Sequence, residues 1–156
     1  MYTFFFTEES PFSQWYACSF RAAELTFNCA EQYMMHGKAM LFGDAGVAAE
    51  VMAAAHPREH KALGRKVKKF DDAVWKRERE AIVLAGNRLK FTQNPDLLAL
   101  LLATRGTEMV EASPYDRIWG IGLAATDPKA QDPATWRGQN LLGKVLTQLR
   151  EELLAA

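Results

Sequence analysis

A chain of 156 residues, 49% hydrophobic and 24% charged, has the make-up of an ordinary globular protein and is long enough to build a core without disulfide staples. Its 19 Lys and Arg residues balance 19 Asp and Glu, and zero net charge argues against a broad electrostatic grip on nucleic acid while leaving room for a small basic pocket. No apolar run of about 18 residues suits a membrane span, "MYTFFFTEES" lacks the basic start of a secretory signal, and Cys18 and Cys29 read as reduced thiols, so a single cytoplasmic domain over residues 1–156 is expected.

"YTFFFT" near the N-terminus is apolar and aromatic, which predicts a short strand, and "SPFSQWY" after it predicts a loop. "SFRAAELTF" predicts a hairpin or strand leading to Asn28. Asn28 then reads as the N-cap of a helix over "NCAEQYMMHGKAMLFG", with Glu31 three residues on completing a capping box and Gly43 ending it. Asp44 is placed to cap "AGVAAEVMAAA", which stops before His56-Pro57, and residues 57–66 read as a short helical turn. The strongest helix opens at Asp71 or Asp72. Val74, Trp75, Ile82, Val83 and Leu89 supply its apolar positions opposite a charged face. "NPDLLALLLATRG" follows, with Asn94 as cap, Pro95 at the first helical position and Gly106 past the end. "TEMVEA" predicts a short strand, a polar loop carries Pro128 and Pro133, and a last helix starts near Asn140. The expected fold class is mainly α, with α+β as the alternative: a helical fold with a few short N-terminal and central strands.

One segment fits neither period. Residues 111–123, "EASPYDRIWGIGL", gather Glu111 and Asp116 with a Pro, a Trp and glycines. Asp116 reads either as a turn residue bonding its own backbone after Pro114 or as a polar contact for a ligand, beside Trp119 and Gly120, where backbone can approach closely. Glu111, at the end of the strand, reads as a ligand contact or as the loop's anchor. Phe12, Ser13 and Trp15 lie in the N-terminal loop, either covering a ligand or closing the core. Asn140, after Gly138, reads as a helix cap whose N-terminus also offers an anion site. Arg65 and Lys66 suit either a phosphate or a charged helix end. His56 and His60 are four apart, but Pro57 interrupts them and no cysteine or carboxylate completes a metal spacing. No Walker loop, dinucleotide fingerprint or nucleophile elbow occurs. No metal and no cofactor is expected.

Six fragments, "PFSQWY", "AEQYMMHGKA", "ALGRKVKKFDDAVW", "GNRLKFTQN", "LLATRGTEMVEASPYDRIWGIGL" and "WRGQNLLGKVL", cover most of the chain. In that order they resemble the NADAR family, the YbiA-like N-glycosidases. The resemblance implies a YbiA-like fold and cleavage of an N-glycosidic bond to ribose. The implied substrate is a phosphoribosylamino-pyrimidine intermediate of riboflavin synthesis or a related nucleotide. The alternatives are an ADP-ribosylated guanine, with nucleic acid entering only as the carrier of that modification, or a silent binder of ADP-ribose or NAD.

Such a reaction builds positive charge on the sugar. A carboxylate stabilises it or activates water, aromatic rings stack on a base, and Lys or backbone N–H groups meet phosphate. The motif "AEQY…GKA" makes Glu31 the leading carboxylate, against the plain capping reading, and helical spacing sets Met35 and Lys38 on nearly the same face. Asp116 is the second carboxylate. Phe12, Ser13, Lys38, Glu111, Trp119, Gly120 and Asn140 are the expected substrate contacts.

Overall fold

The computed structural model describes all 156 residues, with six α-helices and four short strands. The mainly α expectation holds. The chain divides into two compact units: residues 1–16 with 95–156, and residues 17–94.

The first unit is closed by the two ends of the chain. Strand β1 (Tyr2–Phe5) pairs in parallel with β4 (Glu108–Glu111), Tyr2 opposite Glu108 and Phe5 opposite Glu111. A parallel pair needs a long crossover; here the connection contains the entire second unit and helix α5 (Pro95–Ala103). Helix α6 (Leu141–Ala155) covers β4 with Leu142, Leu146 and Leu149, all fully buried. On the sheet's flank, Val110, Ile121, Leu123 and Ala130 form a core cluster against Tyr2, Phe4 and Trp136. Arg150, also buried, donates to the carbonyls of Thr104 and Thr107 and so ties α6 to the turn after α5.

The second unit opens with the hairpin β2 (Phe20–Ala22) and β3 (Leu25–Phe27), as expected, with Phe20 and Phe27 stacked at 5.5 Å. Helix α1 (Ala30–Leu41) packs on α2 (Ala45–Ala53), α3 (Pro57–Gly64) and α4 (Asp72–Thr92). Asp44 and Asp71 cap α2 and α4 with their carboxylates, as the sequence suggests. His56 caps α3: its Nδ1 accepts from the Arg58 N–H, and Glu59 reaches back to the His56 N–H. Pro57 therefore occupies the first helical position, and His56 stands outside the helix that holds His60.

Two expectations fail here. The cap of α1 is Cys29, not Asn28, and no side chain bonds from it into the helix. Gln32, the third helical residue, instead accepts from the Asn28 N–H at 2.7 Å and donates to the Val51 carbonyl at 3.1 Å. The capping box expected of Asn28 and Glu31 is thus absent, because the register begins one residue later. On α4, of the five apolar residues expected to face the core only Trp75 and Val83 are buried; the same stripe continues through Arg79, Asn87 and Lys90. That face buries polar heads together with long apolar stems, which a hydrophobicity pattern scores as surface.

Candidate active site

In the second unit the candidate residues lie on α1. Glu31 occupies the second helical position and is only 5% exposed. An acidic side chain in the first turn is favoured by the helix dipole, but Glu31 is not the residue that reaches back to the start of the chain turn. One turn on, Met35 is buried and lies directly against Gly64 of α3, where a β-carbon would overlap its sulfur. Close approach of α3 depends on that glycine.

Lys38, in the last turn of α1, is half-buried with Nζ 4.7 Å from the Phe70 ring centroid and 5.5 Å from that of Trp75. Burial lowers its pKa, the neighbouring Arg65 lowers it further, and the Glu31 carboxylate opposes both. The ammonium is therefore partly desolvated, set over aromatic faces and electrostatically coupled to Glu31. Phe70 and Trp75 occupy the residue before the Asp71 cap and the fourth helical residue of α4, the two positions of a hydrophobic staple. The sequence reading did not single out this pair around Lys38, although the staple spacing was there to be read. Arg79, buried on the same helix, was also missed, since an Arg among charged neighbours carries no signal of burial.

Cys29 is not set up as a nucleophile. Cys29 Sγ lies 3.6 Å from His60 Nδ1, while His60 Nε2 sits 2.9 Å from the Ala54 carbonyl. Burial pushes the Cys29 thiol up to about 12, so it stays protonated at neutral pH. His56 and His60 serve a cap and this buried pair, and no group of three His, Cys, Asp or Glu side chains gathers for a metal.

In the first unit the loop of residues 111–123 is tightly built. Asp116 Oδ1 accepts from the N–H groups of Ile118 and Trp119, both at 2.9 Å, and Ser113 Oγ accepts from Asp116 N–H at 3.1 Å. The turn that the sequence suggests for Asp116 is present: one carboxylate oxygen closes the turn that carries Trp119. Glu111 accepts at its carbonyl from Ile121 N–H, anchoring the loop to β4. A β-carbon on Gly120 would lie 3.0 Å from that carbonyl and 3.1 Å from Glu111 Oε2, so glycine lets the carboxylate lie against the backbone. Trp119 is half-buried.

Asn140 departs from its expected role. It sits at the cap position of α6 in a left-handed conformation (φ 54°) and makes no side-chain cap. Its side chain is fully buried and stitches β4 instead: Oδ1 accepts from Glu111 N–H and Nδ2 donates to the Met109 carbonyl, each at 3.0 Å. The anion site expected at this helix start is also spent, because the N–H groups of Asn140, Leu141 and Leu142 donate to the carbonyls of Gly120, Ile118 and Trp119. In the N-terminal loop, Phe12 packs edge-on against Phe5 at 5.8 Å, and buried Ser13 uses Oγ to accept from Trp15 N–H. Both follow the core-closing reading.

The NADAR domain family model matches residues 3–154, across both units. The chain belongs to the NADAR family. Among curated NADAR relatives, N-glycosidase R617 of Acanthamoeba polyphaga mimivirus is 46% identical over 148 residues, covering 90% of this chain and 86% of that protein. The riboflavin biosynthesis protein PYRR of Zea mays is 34% identical over 109 residues, 67% of this chain but only 16% of the plant protein. The NMR structure of E. coli YbiA, another NADAR protein, superposes with a TM-score of 0.80 at 27% identity, over 99% of this chain and 85% of that one. No helix of this NADAR chain is long and apolar enough to cross a membrane.

Proposed function

We propose that this NADAR protein is an N-glycosidase that hydrolyses the bond between ribose C1′ and a nitrogen in a phosphoribosylamino-pyrimidine or related nucleotide. The observation that carries the reading is the α1 face: a buried carboxylate, Glu31, electrostatically coupled to a partly desolvated ammonium, Lys38, beside Phe70 and Trp75. R617 and YbiA, both named N-glycosidases, support the bond class, and the plant relative's name, a riboflavin biosynthesis protein, supports a substrate from that synthesis.

As the C1′–N bond lengthens, its electron pair leaves with the amine and positive charge grows on C1′ and the ring oxygen. The Glu31 carboxylate stabilises that charge and takes a proton from the water that adds to C1′, and that proton passes on to the departing nitrogen, so that free amine and ribose phosphate are released. Lys38 holds the phosphate or the leaving amine, and its low-dielectric setting strengthens the contact. In the first unit, Asp116 holds Trp119 through the turn, and that ring is a stacking surface for a base. Gly120 and Glu111 shape the same loop. Phe12 and Ser13 act by fixing the N-terminal loop, and Asn140 acts by fixing β4 beneath Glu111, rather than by touching substrate. The test is to incubate purified protein with a panel of N-ribosides and identify products by mass spectrometry. Free amine and ribose phosphate appearing in equal amounts are expected from the phosphoribosylamino-pyrimidine; release from none of the panel would refute the reading.

A further inference from the structure

Strand β1 has one edge paired and one edge open. The carbonyls of Met1 and Phe5 accept from the N–H groups of Glu108 and Ala112, so the odd-numbered residues turn their backbone groups toward β4. Those of Tyr2, Phe4 and Phe6 turn the other way, and no protein group bonds them. The outer edge of β4 is treated differently. There Thr147 Oγ1 accepts from Met109 N–H, and Asn140 bonds both the Met109 carbonyl and the Glu111 N–H. Side chains of α6 and its cap seal that edge, while the edge of β1 is left unsealed.

An open edge is normally guarded by a charge, a proline or a bulge. "YTFFF" carries no charge and no proline, and its register with β4 runs without a bulge. Beside it lies an apolar hollow of about 210 Å³, between residues 4–6 on one side and residues 124–126 on the other, with Ala112 and Pro114 also lining it. Phe6 is 40% exposed, and its ring stands 6.4 Å from that of Tyr115, which is 86% exposed. Such a hollow has room for an apolar side chain of a strand laid along β1, while the backbone of β1 supplies the hydrogen bonds.

The open groups also select the strand. They recur at positions 2, 4 and 6 and are symmetric about Phe4. Two copies of β1 laid antiparallel about Phe4 set Tyr2 opposite the partner's Phe6, and Phe4 opposite the partner's Phe4. Each of these pairs can exchange both N–H···O bonds. A register displaced by one residue would set the open groups of one copy against the occupied groups of the other. The strand has no charge and the chain no net charge, so the copies do not repel. Tyr2 and Phe6 add aromatic cross-strand pairs. The sheets join in the order β4-β1-β1-β4, which relieves the marginal stability of a two-stranded sheet. A twofold pairing occupies both open edges and closes on itself.

We infer that β1 is a dimerisation edge, along which a second copy of this chain pairs antiparallel about Phe4. The inference does not depend on the reaction proposed above. The pairing covers Phe6 beside Tyr115, and so braces the loop that carries Trp119.

The test is sedimentation velocity on the intact protein over a wide range of concentration, with amide hydrogen exchange measured at the two extremes. A particle of one chain mass is expected when dilute and of twice that mass when concentrated. The amides of Tyr2, Phe4 and Phe6 are expected to exchange freely in the dilute protein and to become protected in the concentrated one. Those of Thr3 and Phe5, bonded to β4, are expected to be protected in both. Phe6→Lys places a cation at an exposed position on the edge and is expected to leave only single chains. Leu100→Lys, at an exposed apolar position on α5, is the control and is expected to dimerise like the wild type. Melting curves report whether each variant folds; if Phe6→Lys does not, the exchange of the three wild-type amides decides alone. The inference is overturned by single chains at every concentration, by a dimer in which the Tyr2, Phe4 and Phe6 amides stay unprotected, by a folded Phe6→Lys protein that dimerises like the wild type, or by loss of the dimer in a folded Leu100→Lys protein.

Discussion

Replacing Glu31 by Gln tests the proposed catalytic role apart from helix capping, because the bonds that start α1 are made by another residue. Gln32, not Glu31, carries the bonds that start α1, to the Asn28 N–H at 2.7 Å and the Val51 carbonyl at 3.1 Å. Losing the charge at position 31 removes a favourable term with the helix dipole of about 0.3–1 kcal/mol. For a domain of this size that lowers Tm by no more than about 4 °C. Loss of general-base and charge stabilisation, by contrast, cuts kcat by about 10²–10⁴-fold. KM is expected to move much less, since the carboxylate acts chiefly in the transition state. Steady-state kinetics on the phosphoribosylamino-pyrimidine beside a melting curve give both quantities. A folded Glu31→Gln protein with near-wild-type kcat would refute the assignment, and a collapse in Tm would return Glu31 to a structural role.

Three further outcomes follow from the packing and from one buried amine. Trp119→Ala is expected to weaken binding of the phosphoribosyl substrate more than it destabilises the fold: a fully buried Trp costs about 3–5 kcal/mol on truncation, and this one is half-buried. A large fall in Tm with unchanged affinity would make Trp119 plain core. Gly138→Ala is expected to lower stability by about 1–3 kcal/mol, because its β-carbon would meet the backbone carbonyls of Gly120 and Arg117; an unchanged urea midpoint would contradict this. Lys90, fully buried on α4, has its pKa lowered by desolvation from 10.5 to about 8. Between those values the unfolded chain holds the proton and the folded one does not, so the stability this group contributes rises with pH. The urea midpoint of the wild type, relative to that of Lys90→Met, is expected to increase from pH 8 to pH 10, and a flat difference would show that Lys90 titrates normally.

Much of the fold was legible because its signals are local. Asp44 and Asp71 cap the helices that follow them, Pro57 and Pro95 stand at first helical positions, and "SFRAAELTF" folds back as a hairpin. The start of α1 was misread because Asn28 and Cys29 offer adjacent registers. The deciding bond, from Gln32 to Val51, spans 19 residues of sequence. Asn140 was misread for the same reason: its side chain bonds β4, about 30 residues earlier, and its left-handed backbone points it away from its own helix. At the candidate site, Glu31 and Lys38 were visible from helical spacing and motif. The aromatic seat of Lys38 was not, since Phe70 and Trp75 come from a loop and a helix that only tertiary packing brings to α1. For Asp116 both readings were available from the sequence, and the hydrogen bonds to Ile118 and Trp119 show the turn.

The most direct test of the central claim is a deuterium isotope effect at C1′. Purified protein is given the phosphoribosylamino-pyrimidine with hydrogen or deuterium on C1′, the two forms competing in one reaction, and mass spectrometry follows their ratio in the remaining substrate. If the ribosyl C–N bond breaks with positive charge growing on C1′ under the Glu31 carboxylate, the deuterated form reacts measurably more slowly and accumulates in the substrate left behind. Equal consumption of the two forms, with free amine released, would show that bond cleavage at a charged C1′ does not limit the reaction and would contradict the mechanism built on Glu31.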